Sequence, residues 1–140
     1  MSTDDVVLNK AATIERCVQR VRQVYADNPA NLSDDLTRQD SIILNLQRAC
    51  EAAIDLAMHL VRKHRLGIPQ ESRDAFDLLA NAAALDAALA ASLKRMVGFR
   101  NVAVHDYTRL SIPIVRAIIE LHLDELLSFA NAAIQDTRDR

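Results

Sequence analysis

Apolar residues recur along this chain at intervals of three and four, the period of an α-helix, and strand-like alternation is nearly absent. The clearest run spans residues 4–27, where Val7, Ala11, Ile14, Val18, Val21 and Tyr25 line one stripe. Glu15, Arg16, Gln19, Arg20 and Arg22 fall mostly off it, so the segment reads as an amphipathic helix with one wet face. Asp27-Asn28-Pro29 ends that helix, because a proline disfavours helix in the residue before it. Asn31 to Asp35 then supplies capping and acidic side chains for a second helix, predicted from Ser33 to His64. Its apolar set includes Ile42, Ile43, Leu46, Ala49, Ala53, Leu56, Leu60 and Val61, too wide for burial on one side only. One polar stripe remains, Arg48, Glu51, Asp55, His59 and Arg62, which on its own reads as a solvated face with stacked ion pairs.

Arg62-Lys63-His64-Arg65 puts cations where the helix dipole is negative, and Gly67 with Pro69 marks a turn. A short helix is predicted from Ser72 to Ala82, with Phe76, Leu78 and Leu79 as its apolar contacts. Asp86 caps a helix from Ala87 to about Val104. Ser111 caps a last helix, predicted to run unbroken from Ile112 to about Thr137, with Pro113 tolerated in its first turn. His122 sits in the apolar stripe of that helix, between Ile118 and Leu126, and reads as a satisfied core residue. The fold class is therefore all-α: one domain over residues 1–140, an up-and-down bundle of four long helices plus one short helix.

Composition narrows the function. Half the residues are apolar, which excludes a disordered tail. The formal net charge of −2 argues against strong general attraction to nucleic acid. No apolar run approaches the roughly 18 residues of a membrane helix. The first residues are acidic and lack a signal pattern, so a cytoplasmic location is expected. Cys17 and Cys50 are too few for a disulfide scaffold or a zinc site and read as small core residues. The histidines, His59, His64, His105 and His122, show no metal-ligand spacing, so neither metal nor cofactor is expected. His64 reads as a cation at a helix end.

Residues 98–107, Gly-Phe-Arg-Asn-Val-Ala-Val-His-Asp-Tyr, are not explained by packing. Asn101 and His105 are i,i+4 neighbours on one helix face, whereas Arg100 and His105 stand about 140° apart around the axis. Arg100 and His105 meet if the helix ends near His105, or if a second copy of the segment supplies one of them. Gly98, mid-helix at a cost of about 1 kcal/mol relative to Ala, suggests a close backbone approach. By itself an Arg-x4-His string is weak. Arg100 and Asp106 read equally as surface ion-pair formers, and His105 with Tyr107 as the end of a helix.

The string GFRNVAVHDY resembles the signature of HEPN-fold proteins and, more narrowly, the Arg-x4-His-x-Tyr motif of the HepT group of toxins. Arg100, Asn101, His105 and Tyr107 each fall on a motif position. Asp40, Asn45, Glu51 and Asp55 resemble the Asp…Asn…Glu…Asp pattern of the same family. The resemblance implies a homodimeric helical bundle that brings two motif copies to one cleft. It also implies a metal-independent endoribonuclease, the toxin of a toxin–antitoxin pair. Its expected partners are an RNA substrate and a minimal nucleotidyltransferase antitoxin, with no membrane and no DNA. The antitoxin would silence it by transferring AMP to the motif tyrosine, Tyr107 in this chain.

The residue types suit that chemistry. Histidine as a residue type titrates near neutrality, which fits His105 for acid or base work on a ribose 2′-OH or a leaving 5′-oxygen. Arg100 stays charged and can fork onto two phosphate oxygens of a crowded phosphorane. Asn101 supports them by orienting His105 or donating to a phosphate oxygen. Glu51 and Asp55 either pair with the motif arginine and line the cleft or serve packing. Arg48, Lys94, Arg95 and Arg109 are candidate phosphate contacts. The alternative is a non-catalytic helical adaptor or nucleotide-binding partner of a nucleotidyltransferase.

Overall fold

The computed structural model describes residues 3–138; Met1, Ser2, Asp139 and Arg140 lie outside them. Seven α-helices occur among the described residues, and no strand: α1 (Thr3–Tyr25), α2 (Ala30–Ser33), α3 (Leu36–His64), α4 (Ser72–Asn81), α5 (Ala87–His105), α6 (Ile112–Leu121) and α7 (Leu123–Arg138). A single 3-10 turn, Tyr107–Arg109, links α5 to α6. The centre of the bundle is α3, which packs against α1, α4, α5 and α7. That position explains its broad apolar set: Ile42, Leu46, Ala49, Leu56, Ala57 and Val61 expose no surface. The stripe from Val7 to Tyr25 is buried as a unit against α3 and α7. Phe76 of α4 meets Phe129 of α7 edge to face, with ring centroids 5.6 Å apart.

Helix ends follow local chemistry. The Asp86 carboxylate accepts from the backbone N–H of Ala88 and Leu89, and Ser111 accepts from Ile114. α3 starts later than expected. Residues 30–33 form a separate turn, and Asp35 rather than Ser33 caps the long helix by accepting from the Arg38 N–H at 3.0 Å. Its other end closes at Arg65, in the left-handed region at φ 54° and ψ 49°, two residues before Gly67. Lys63 and His64 there both bind Asp136 of α7 at 2.7 Å, so His64 does act as a helix-end group.

The predicted last helix is two helices. His122 ends α6 at φ −126° and ψ −1°, and α7 begins at Leu123. The residue is half-buried rather than a core residue, with Nδ1 2.9 Å from Glu125 Oε1. Asp124 and Glu125 sit in the first turn of α7, where the helix dipole favours negative charge. Glu125 also accepts from the hydroxyl of Ser92 on α5. The break thus feeds a carboxylate to two polar groups that would otherwise lack one.

Cys17 and Cys50 are buried free thiols. Burial pushes both upward, Cys50 to about 12, so neither is a nucleophile near neutral pH. No helix among the described residues is long and apolar enough to cross a membrane.

Candidate active site

The motif occupies the C-terminal part of α5, anchored by the buried side chains of Met96, Val97, Phe99 and Ala103. Gly98 lies just before it. A Cβ there would meet only the Nη2 end of the Arg73 side chain, at 2.9 Å, and no backbone. The close backbone approach suggested by this glycine is absent. Arg100 and Asn101 are half-buried, and His105 is the last residue of the helix. The Asp106 N–H closes α5 on the Val102 carbonyl at 2.8 Å, and the chain turns through Tyr107–Arg109.

Arg100 points toward α3. Its Nε lies 3.6 Å from Glu51 Oε2, and its Nη1 donates to Asn101 Oδ1 at 2.9 Å. Those contacts brace the guanidinium at the edge of a cleft of about 370 Å³, which Lys10, Arg48, Glu51 and Asp55 also line. Asp55 is paired there with Lys10 at 3.0 Å. The polar stripe of α3 is therefore no ladder of ion pairs along one helix: Glu51 and Asp55 reach cations on α5 and α1. His59, farther along it, is half-buried with an unpartnered Nε2. Burial and then the nearby charges of Arg62 and Lys63 lower its pKa.

Tyr107 is 43 % exposed, and its hydroxyl donates to Asp40 Oδ1 at 2.6 Å. Burial of the ring, then the hydrogen bond and charge of Asp40, push the phenol up to about 12. Asp40 and Glu51 stand about 16 Å apart along α3. Together they pin the two ends of the motif to one helix. His105 is exposed and forms no hydrogen bond or ion pair with any described residue. The helix does end at His105, yet that ending leaves its imidazole unlinked to Arg100. Asn101 contacts Arg100 and not His105.

The remaining sequence candidates separate cleanly. Arg48 shares the cleft of Arg100, while Lys94 is taken by Asp77 at 2.8 Å and Arg109 lies 3.7 Å from Asp106. Arg95 is exposed, and Asn45 donates to the Ser41 carbonyl of its own helix. Asp106 serves the local turn, so its ion-pair reading holds with Arg109 as partner. Sequence reasoning assigned Asp40 no role. The signal for it was its place in the acidic pattern on α3. Among the described residues, no cluster of three or more His, Cys, Asp or Glu side chains could hold a metal ion.

An all-helical bundle with Arg100, Asn101, His105 and Tyr107 at the end of one helix, two of them tied to acids of its neighbour, defines a HEPN-class protein. The chain belongs to the HepT-like ribonuclease family, whose profile matches residues 14–133. It is 50 % identical over 126 residues to the mRNA nuclease HepT of Shewanella oneidensis, covering 90 % of this chain and 94 % of that protein. Among solved structures it resembles the tri-AMPylated HEPN toxin of Shewanella oneidensis in complex with its MNT antitoxin. That likeness has a TM-score of 0.86 and 48 % identity, covering 94 % of this chain and 97 % of that one. A toxin–antitoxin crystal structure with AMP-PNP matches with a TM-score of 0.87 and 48 % identity, over 91 % of this chain and 96 % of that chain.

Proposed function

We propose that residues 1–140 act as one unit, the cytoplasmic ribonuclease toxin of a toxin–antitoxin pair. It cuts RNA without metal at a site completed by homodimerisation, and AMP transfer to Tyr107 silences it. The observation that carries this reading is the division of labour within one chain. Arg100 is braced toward an open cleft by Glu51 and Asn101, while His105 stands exposed and unpartnered at the helix end.

In the reaction, one His105 takes the proton of a ribose 2′-OH as its oxygen attacks the neighbouring phosphorus. Arg100 stabilises the charge that builds on the phosphorane oxygens. A second His105, from the partner copy, gives a proton to the departing 5′-oxygen. Because the nucleophile is the 2′-OH, DNA is not a substrate. Silencing uses the phenol that Asp40 holds. The Tyr107 oxygen attacks the α-phosphorus of a nucleoside triphosphate brought by the nucleotidyltransferase antitoxin. Pyrophosphate leaves, and Asp40 accepts the phenolic proton. The added phosphate places negative charge two residues from His105, where it repels an RNA backbone.

The test is RNA cleavage by protein purified in EDTA, beside Arg100→Ala and His105→Ala variants with unchanged circular dichroism. Each substitution is expected to lower the rate by roughly 10²–10⁴-fold. Full activity in both variants overturns the assignment. Intact mass after incubation with antitoxin and ATP should show added AMP in the unsubstituted chain and none in Tyr107→Phe.

A further inference from the structure

A second groove lies beside the motif, between α1 and α3, with a volume of about 460 Å³. Arg16, Gln19 and Arg20 line it from α1, and Ser41, Asn45 and Arg48 from α3. Three of these side chains are cations, the others are neutral hydrogen-bonding groups, and no carboxylate lines the groove. All three arginines are exposed. Arg16 and Arg48 form no ion pair with any described residue, and Arg20 reaches only Gln23, at 3.5 Å. Arg16 of α1 and Arg48 of α3 both lie near Cys17, whose thiol is raised by burial while their charges oppose the rise.

Arg62, Arg65, Arg73 and Arg95 also form no ion pair with any described residue, but only Arg16, Arg20 and Arg48 among the unpaired arginines share one groove, and other cations of the chain are paired. Lys10, Arg22, Lys63, Lys94 and Arg116 each hold a carboxylate within 3.1 Å. Three arginines gathered without one repel each other, and an anionic ligand would relieve that repulsion. Arg48 decides which ligand. It lines this groove and also the cleft of Arg100, where each carboxylate, Glu51 and Asp55, already faces a cation, so the groove runs on into the proposed reaction site. Arg16 and Arg20 stand one helical turn apart, about 6 Å along α1, and present successive charges along that path.

We infer that the α1–α3 groove is the track for single-stranded RNA flanking the cut, with Arg48, Arg16 and Arg20 each contacting a backbone phosphate. A single strand is required because in-line attack by a 2′-OH needs a backbone geometry that a continuous A-form helix does not offer. The groove has no aromatic lining for base stacking, so its arginines hold the strand by its phosphates. The inference rests on the ribonuclease reading above and adds its substrate-binding surface.

The experiment uses the full chain in a His105→Ala background, which keeps the RNA whole, and a labelled single-stranded oligoribonucleotide. Arg16→Gln with Arg20→Gln is expected to weaken binding roughly tenfold near 0.1 M salt and to lower the slope of log affinity against log salt by about 1.4. Arg16→Lys with Arg20→Lys should restore most of both. In the active chain the Gln pair should act on KM rather than kcat. Unchanged affinity and slope overturn the track, as does loss of antitoxin binding by the Gln pair with RNA binding intact, which would make the groove an antitoxin dock. Cleavage separates the two readings. If the unsubstituted chain does not cut RNA but binds it in an Arg16- and Arg20-dependent way, the ribonuclease reading falls and the track stands.

Discussion

Tyr107 and Arg100 show how much of a site one string of residues can carry. Their positions were legible from the Arg-x4-His-x-Tyr spacing, and of the two carboxylates offered for Arg100 it is Glu51 that meets it and Asp55 that does not. The partner of Tyr107 was not legible, because Asp40 lies 67 residues from Tyr107 and meets it only through helix packing. Nothing in the polar stripe of α3 says which carboxylate will face which motif residue until the register of α3 against α5 is set. The Asp40 contact has a measurable signature. Tyr107 is raised from the ordinary 10.0 to about 12 by burial first and by Asp40 second. A folded-state value above the unfolded one means this contact stabilises the fold fully below pH 10 and ceases to do so as pH rises through 12. Asp40→Ala should therefore bring the Tyr107 titration, followed by its ring NMR signals, part of the way back toward 10, since ring burial persists. An unshifted titration would show that the hydroxyl does not rest on Asp40 in solution. Neutral-pH cleavage should change little through this ionisation, because the phenol is protonated at pH 7 in both proteins.

At the level of elements, the caps were readable because they are local. Asp86 and Ser111 each bond backbone N–H groups within three residues. The break at His122 was not readable. Apolar residues keep their spacing across it, with Ile118, Leu123 and Leu126 all buried, and neither Gly nor Pro marks the site. Periodicity reports which face is buried and is blind to a bend that preserves the face. Gly98 misled in the opposite direction, since its rarity suggested a tight approach and the structure shows only a flexible arginine end nearby. That difference makes a stability forecast. Arg73 can swing toward solvent, so Gly98→Ala should gain helix propensity and stabilise the protein by roughly 0.5–1 kcal/mol. Thermal unfolding decides it: a lowered Tm would mean that Arg73 cannot yield and that the glycine is sterically required.

Across the whole molecule, the bulk charge does not say where charge gathers. A net −2 describes 17 cations and 19 anions, but many of the anions are committed locally. Asp35, Glu71 and Asp86 cap helices, and Asp136 clamps α3 to α7, which leaves arginines beside the motif free to act together. The proposed site is one that a single chain leaves incomplete. His105 has no described partner, Arg100 is turned toward α3, and the exposed apolar residues Val102 and Val104 precede His105 on the helix. A two-fold pairing would cover such a surface and bring one motif to face its copy. Specific activity should then fall on dilution, in step with dimer dissociation measured by sedimentation. Mixing unsubstituted chains with an excess of His105→Ala chains should also lower the activity per unsubstituted chain, because a mixed dimer holds only one of the two His105 side chains that the reaction uses. Constant activity per chain at dilutions where only monomer sediments would place the whole reaction within one bundle. Arg100 and His105 would then have to meet by a movement of the α5 end, which the Asp40–Tyr107 bond now holds in place.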